Sequence, residues 1–243
     1  MKSVGRVVEG KLISRETGMA SVGDFYRSAV GKKAVMAVTG IALFGYVLLH
    51  MLGNMKLYLG RESLNHYAEY LRVMGEPFFP YGTLLWIVRI ILLVAVGLHI
   101  LAAIQLTLMN QQARPLGYEQ RRTVAASYAA RTMRWGGVIL VLFVIYHLLD
   151  LTWGTVNTGF IPGDVYHNVV MSFQRWPVAG FYIVAQLALG LHLYHGLWSL
   201  FQSLGWNHPR FNHWRRNFAI AFAWLITVGN ISFPVAVLTG WIS

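Results

Sequence analysis

The chain has 243 residues, 56% of them apolar and only 12% Asp, Glu, Lys or Arg, about half the roughly 25% charged content of an ordinary soluble domain. That composition excludes a soluble enzyme. A net charge of +11 would suit a nucleic-acid binder, but the basic residues stand at the ends of apolar segments, which excludes that partner. With no cysteine, the chain cannot itself ligate an iron–sulfur cluster, attach haem through C-x-x-C-H, build a thiolate zinc site or form a disulfide.

Residues 1–30 form a polar segment of mixed charge (Lys2, Arg6, Glu9, Lys11, Arg15, Glu16). No apolar core follows its basic start, so it reads as a retained segment and not a cleavable signal peptide. Residues 31–243 form the membrane domain, with apolar spans expected at 33–57, 83–109, 132–153, 177–201 and 215–240. Each is close to the ~20 residues needed to cross a bilayer and far longer than the ~10-residue strands of a membrane barrel. The expected fold is therefore all-α, a bundle of five transmembrane helices. Pro77, Pro80, Pro162 and Pro177 punctuate the loops 58–82 and 154–176, which are long enough for short surface helices.

Fifteen of the twenty Lys and Arg fall in the N-terminal segment, the second loop and the fourth loop; Lys56, Arg61, Arg72, Arg89 and Arg175 fall on the other side. The positive-inside rule then places the N-terminus in the cytoplasm and the C-terminus outside, as expected of a multi-pass protein of the cell's inner (plasma) membrane.

Five histidines lie inside the spans, where a polar group is costly and is by default a hypothesis about function. Counting along each helix at about 1.5 Å per residue puts His50 and His147 toward the outer face. The same count puts His99, His192 and His195 toward the inner face. Each level is thus supplied by two spans that run in the same direction. Two imidazoles alone do not complete a tetrahedral metal site, and no carboxylate or thiolate is expected beside them. A haem brings four nitrogens of its own and needs two axial ligands, so the simplest chemistry is two bis-histidine b haems, one above the other. Gly45, Gly53, Gly97, Ala102, Ala103, Gly190 and Gly196 stand near the histidines and would admit a flat macrocycle or close helix packing. Met51, Met55 and Met109 read as packing residues, and the tryptophans as interfacial anchors.

The segments GKKAVMAVTGIALFGYVLLHMLGN (31–54), VGLHILAAIQL (96–106), RTMRWGGVILVLFVIYHLLDLTWG (131–154) and LGLHLYHGLWSLFQSLGW (189–206) carry a resemblance. Together they resemble the single-chain, five-helix cytochrome b subunits of succinate dehydrogenases and fumarate reductases, in particular the cytochrome b558 branch. The resemblance covers about 30–241 and leaves out the polar N-terminal segment. It implies one haem ligand on each of the first four spans: His50 with His147 for the outer haem, His99 with His192 for the inner one. His192 is chosen over His195 because family ligands stand four residues before a glycine in H-x-x-x-G-[LF]; His195 is left a hydrogen-bonding or propionate-side role, or none.

The resemblance further implies a membrane anchor and electron-transfer subunit. An iron–sulfur subunit and an FAD flavoprotein subunit would dock on its cytoplasmic face, with electrons leaving for a membrane quinone, menaquinone in two-haem members. Succinate oxidation would belong to the flavoprotein partner, and a higher oligomer of the complex stays open, as does a fumarate reductase direction. A cytochrome b subunit of another oxidoreductase is one alternative, and an ion transporter using intramembrane histidines is another, although no broken span or paired repeat is present.

Two sets of polar residues complete the expectations. Lys32 and Arg131 start the first and third spans on the inner side and are candidates for haem propionates. In the loop segment 62–76, His66, Glu69 and Arg72 recur at helical spacing and are candidates for the quinone site, with Glu69 first for proton transfer and His66 second.

Overall fold

The computed structural model describes residues 22–113, 125–206 and 208–243, with side chains for 23–113, 133–206 and 208–243. All regular structure among them is helical, and five helices are long and apolar enough to cross a membrane. The order is α1 (Val22–Arg27), α2 (Ala29–Asn54), α3 (Arg61–Val73), α4 (Thr83–Gln112), α5 (Ala125–Leu151), α6 (Val165–Gln174), α7 (Trp176–Ser203) and α8 (Asn212–Leu238). The spans are α2, α4, α5, α7 and α8; α3 and α6 are the short helices expected in the two long loops.

Helix ends differ from the sequence reading by a few residues, for local reasons. Ser28 caps α2 by accepting from the Gly31 amide at 3.0 Å, which starts the helix four residues before the first expected apolar position. At its far end α2 tightens into a 3-10 turn, Met55–Leu59, and stops at Gly60, whose φ of 92° few residues other than glycine adopt. Pro177 sits in the first turn of α7, where its missing amide proton costs nothing.

The boundary expected at residue 30 falls inside a docked piece of chain. Tyr26 of α1 donates to Gln105 of α4 at 3.0 Å, and the Lys32 ammonium donates to the carbonyls of Tyr26 at 3.1 Å and Arg27 at 2.8 Å. A cation on the last carbonyls of a helix satisfies groups that have no partner within it. Residues 1–21 lie outside the described residues.

Side chains sort by solvent. Ile90, Ile91, Leu93 and Val94 of α4 and Leu142 and Val144 of α5 are exposed, the pattern of a lipid-facing surface. Trp86, Trp153, Trp176 and Trp241 are exposed toward one end of the spans, and Trp135, Trp206 and Trp214 toward the other, as two interfacial belts. The packed core lies where α7 meets α8, built from Ala179, Ala185, Leu197, Ala219, Phe222 and Ile226, with Met51 of α2 inserted against it.

Small residues make those approaches. A side chain at Gly190 would collide with Thr227, and one at Gly229 with the Met51 sulfur, so Met51 fills the core as a packing residue. Gly53 likewise makes room for the Tyr67 ring of α3. Two of the glycines grouped with the histidines, Gly53 and Gly190, therefore serve helix packing. At Gly45, Gly97 and Gly196 an added side chain would meet nothing within 4 Å.

At the end of the bundle where α2 finishes, α3 and α6 pack against each other and form a lid. Arg61 pairs with Asp164, Asn65 donates to Asp164 at 2.8 Å, and the Tyr166 amide donates back to Asn65 at 3.0 Å. Asp164 also caps α6 through the His167 amide at 3.1 Å.

Candidate functional site: two facing histidine pairs

The helices bring four of the five intramembrane histidines together in two pairs. His50 of α2 faces His147 of α5 with ring centroids 5.9 Å apart and planes at 89°. His99 of α4 faces His192 of α7 at 6.3 Å and 60°. Depth along the spans implied the first pair and left His99 to face His192 or His195, between which the resemblance pointed to His192. His195 faces neither pair member across the bundle and packs instead on Tyr194, with centroids 4.9 Å apart.

Two helices give the separation of the levels independently. On α7, Tyr182 lies beside His147, and the ten residues from Tyr182 to His192 span about 15 Å at ~1.5 Å per residue. On α2, Thr39 lies beside His99, and the eleven residues from Thr39 to His50 span about 16 Å on the same rise. The His99/His192 level is the near level, toward the start of α2. The His50/His147 level is the far level, under the lid.

Each pair is carried by helices that do not pack closely on each other. α2 packs on α4, α5 on α7 and α7 on α8, whereas α2 with α5 and α4 with α7 make no comparable contact among the described residues. The facing rings thus stand across the looser seams of the bundle.

Hydrogen bonds assign the ring tautomers at one member of each pair. The Thr39 hydroxyl gives its proton to the Val35 carbonyl at 2.7 Å, so the oxygen can only accept from His99 Nδ1, 3.1 Å away. The Tyr182 hydroxyl gives its proton to Asp150 at 2.9 Å, so its oxygen accepts from His147 Nδ1 at 3.4 Å. In both rings Nδ1 carries the proton and Nε2 keeps the lone pair that binds metal. On the opposite side, Nδ1 of His192 is buried with no partner among the described residues, an arrangement that costs free energy unless something else satisfies it.

These features fit a bis-histidine haem. A metal–imidazole bond of about 2.0–2.1 Å on each side, plus about 1.1 Å from each nitrogen to its ring centre, separates the centroids by about 6.2–6.4 Å; His99 and His192 match at 6.3 Å, and His50 and His147, at 5.9 Å, stand slightly closer. The donor set is neutral imidazole, and no group of three or more His, Asp or Glu able to hold a bare metal ion occurs among the described residues.

Asp150 corrects one expectation. A carboxylate does lie near a histidine pair: Asp150 has no exposed surface and accepts from Ser172, from Tyr182 at 2.9 Å and from Arg175 at 2.8 Å. It sits behind the His147 ring, one hydroxyl removed, and not at the metal position. The signal was present in the sequence as a charged residue inside a span, three positions after His147, but its partners come from distant segments.

The other candidates fall in separate places. Lys32 is buried under the α1 carbonyls, and the side chain of Arg131 lies outside the described residues. His66 lines an open cleft with Lys56, Ser63, Tyr67 and Tyr70. Glu69 turns away from that cleft to Arg72 and Tyr81, each at 3.3 Å. All of these α3 residues belong to the lid over the far level. No protein-family model, curated protein or solved structure matches the chain.

Proposed function

We propose that this chain is the membrane anchor and electron-transfer subunit of a succinate:quinone oxidoreductase in the cell's plasma membrane. The observation that carries the proposal is the pair of facing histidine couples, about 15 Å apart along the helices, each spaced for one metal between two imidazoles. When bound, two b haems would supply a one-electron relay from one face of the bilayer to the other.

The residues divide the work by level. His50 and His147 hold the far group, His99 and His192 the near one, with His99 and His147 each offering Nε2 as a neutral donor. Thr39 and Tyr182 fix the ring orientation of His99 and His147, so the lone pairs are set before a ligand arrives. The lid residues His66 and Glu69 are the groups placed to hold or move a proton at a quinone oxygen, taken to be that of menaquinone. Arg72 stands against Glu69 at 3.3 Å. Propionates at the near level would draw on Arg131 and on the one Lys32 N–H not used by α1.

The partners follow from what the chain lacks. It has no cysteine, so every iron–sulfur centre must belong to a docked subunit, and a flavoprotein subunit must carry the dicarboxylate chemistry. The basic ends of the spans on the side of the N-terminus present the docking face.

Haem analysis of the purified chain, together with identification of the subunits that co-purify, tests the reading. Two b haems per chain, reducible by succinate in the isolated complex, are expected. A colourless protein would instead favour an intramembrane transporter, and a different set of partners another oxidoreductase.

A further inference from the structure

Behind His147 lies a polar chain that simple ligation does not require. The Tyr182 hydroxyl, 3.4 Å from Nδ1 of His147, donates to Oδ2 of Asp150 at 2.9 Å. Asp150 is held on its other sides by the Ser172 hydroxyl and by Arg175, and Arg175 is anchored in turn on the Val156 carbonyl at 2.7 Å. Three separate elements, α5, α6 and α7, with the residue that joins the last two, thus converge on one carboxylate.

The ring of Tyr182 has little freedom. It is 4% exposed and is clamped edge-on by Phe143 and Phe173, with centroids 5.2 and 4.9 Å away. Its single proton is committed to the carboxylate, so its lone pairs face the imidazole. A hydroxyl that donates to an anion becomes a stronger acceptor, because hydrogen bonds in series polarise one another. An acceptor on Nδ1–H raises the donor strength of Nε2 and so favours the more highly charged, oxidised state of a bound metal. Among the described residues no comparable chain stands behind the other histidines. His99 meets the Thr39 hydroxyl, whose proton goes to a neutral carbonyl, and the Met36 carbonyl, while Nδ1 of His192 has no partner among the described residues.

Resting on the two-haem reading, we infer that Tyr182 is a positioning residue that transmits the charge of Asp150 to His147, fixing its tautomer and tuning the reduction potential of the far-level haem alone. Arg175 and Ser172 hold the carboxylate in place for this purpose.

Redox titration of both haems in the intact complex tests this, with Tyr182→Phe and Asp150→Asn compared with the unmodified protein. Repeating each in a His192→Ala background assigns the far-level signal. Tyr182→Phe removes one oxygen and keeps the packed ring; Asp150→Asn keeps the carboxylate shape and removes its charge. Either change should raise the far-level midpoint, by up to a tenfold change in the reduction equilibrium, about 59 mV for one electron. The near-level midpoint and the content of two haems should not change, and combining the two substitutions should add little. Two retained haems with an unmoved far-level potential in both variants would overturn the inference, and so would equal shifts at both levels. Absence of haem from the unmodified protein would instead overturn the reading beneath it.

Discussion

The two histidine levels use the same ligand type and nearly the same spacing, yet the protein surrounds them differently. At the far level a ligand is backed by a fully buried carboxylate with three donors, beneath a lid of two short helices tied by Asp164. At the near level one ligand rests on a threonine hydroxyl and a backbone carbonyl, and another has a buried nitrogen without a partner among the described residues. Ligand geometry is therefore a property of the helical frame, repeated at each level, while electrostatics is a local addition made at one level only. A bundle of neutral helices can place imidazoles at any depth, but a buried charge is tolerated only where enough donors converge.

Removing a donor from the far level should have the largest effect. Arg175→Met leaves the buried Asp150 with two hydroxyl partners and no countercharge, and loss of one partner of a buried pair costs about 3–5 kcal/mol. Thermal unfolding in detergent should show a marked fall in midpoint, with the far-level haem lost first. Loss of the near-level haem first would break the comparison.

A smaller change is expected from Thr39→Val at the near level. It deletes one neutral hydrogen bond, and second-shell losses at metal sites cost 10–100-fold in affinity, with the lower end, about tenfold, expected for a lone hydroxyl. Haem retention during dilution measures it, and the far level should be unchanged.

The lid offers a functional contrast between the two ends. Glu69→Gln and His66→Ala should each slow quinone reduction severalfold while leaving both haems bound and succinate oxidation by an artificial acceptor intact, because only proton delivery is disturbed. Unchanged turnover in both variants would move the quinone to the near level.

The smallest effect concerns acid. The Arg61 guanidinium beside Asp164, helped by Asn65 and the His167 amide, holds that carboxyl down at about 2, below the ordinary aspartate value. A depressed folded-state pKa contributes stability that is complete above about pH 4 and is lost as the pH falls toward 2. Pepsin cleavage within α3 and α6 should therefore rise over that interval. Asp164→Asn should weaken this dependence, by no more than the ~1 kcal/mol of a largely exposed pair.

The sequence reveals the frame more readily than the additions. Span lengths follow from apolar runs, and pairing by depth follows from rise per residue, because both are local properties of a helix. His50 and His147 could be matched without knowing how their helices pack. The Asp150 network was not legible, because Asp150, Ser172, Arg175 and Tyr182 meet only after three elements assemble; Arg175 alone looks like a charge marking one side of the membrane. The glycines mislead for the same reason. Gly53 and Gly190 flank histidines in sequence, yet the neighbours they accommodate, Tyr67 and Thr227, lie on other helices.

Haem stoichiometry in double variants tests the pairing most directly. If each haem is shared by one ligand from each facing helix, His50→Ala, His147→Ala and the double variant His50→Ala/His147→Ala should all retain one haem per chain, the near-level one. The cross-level variant His147→Ala/His192→Ala should retain none. One haem remaining in the cross-level variant, or none in His50→Ala/His147→Ala, would contradict the two-level account.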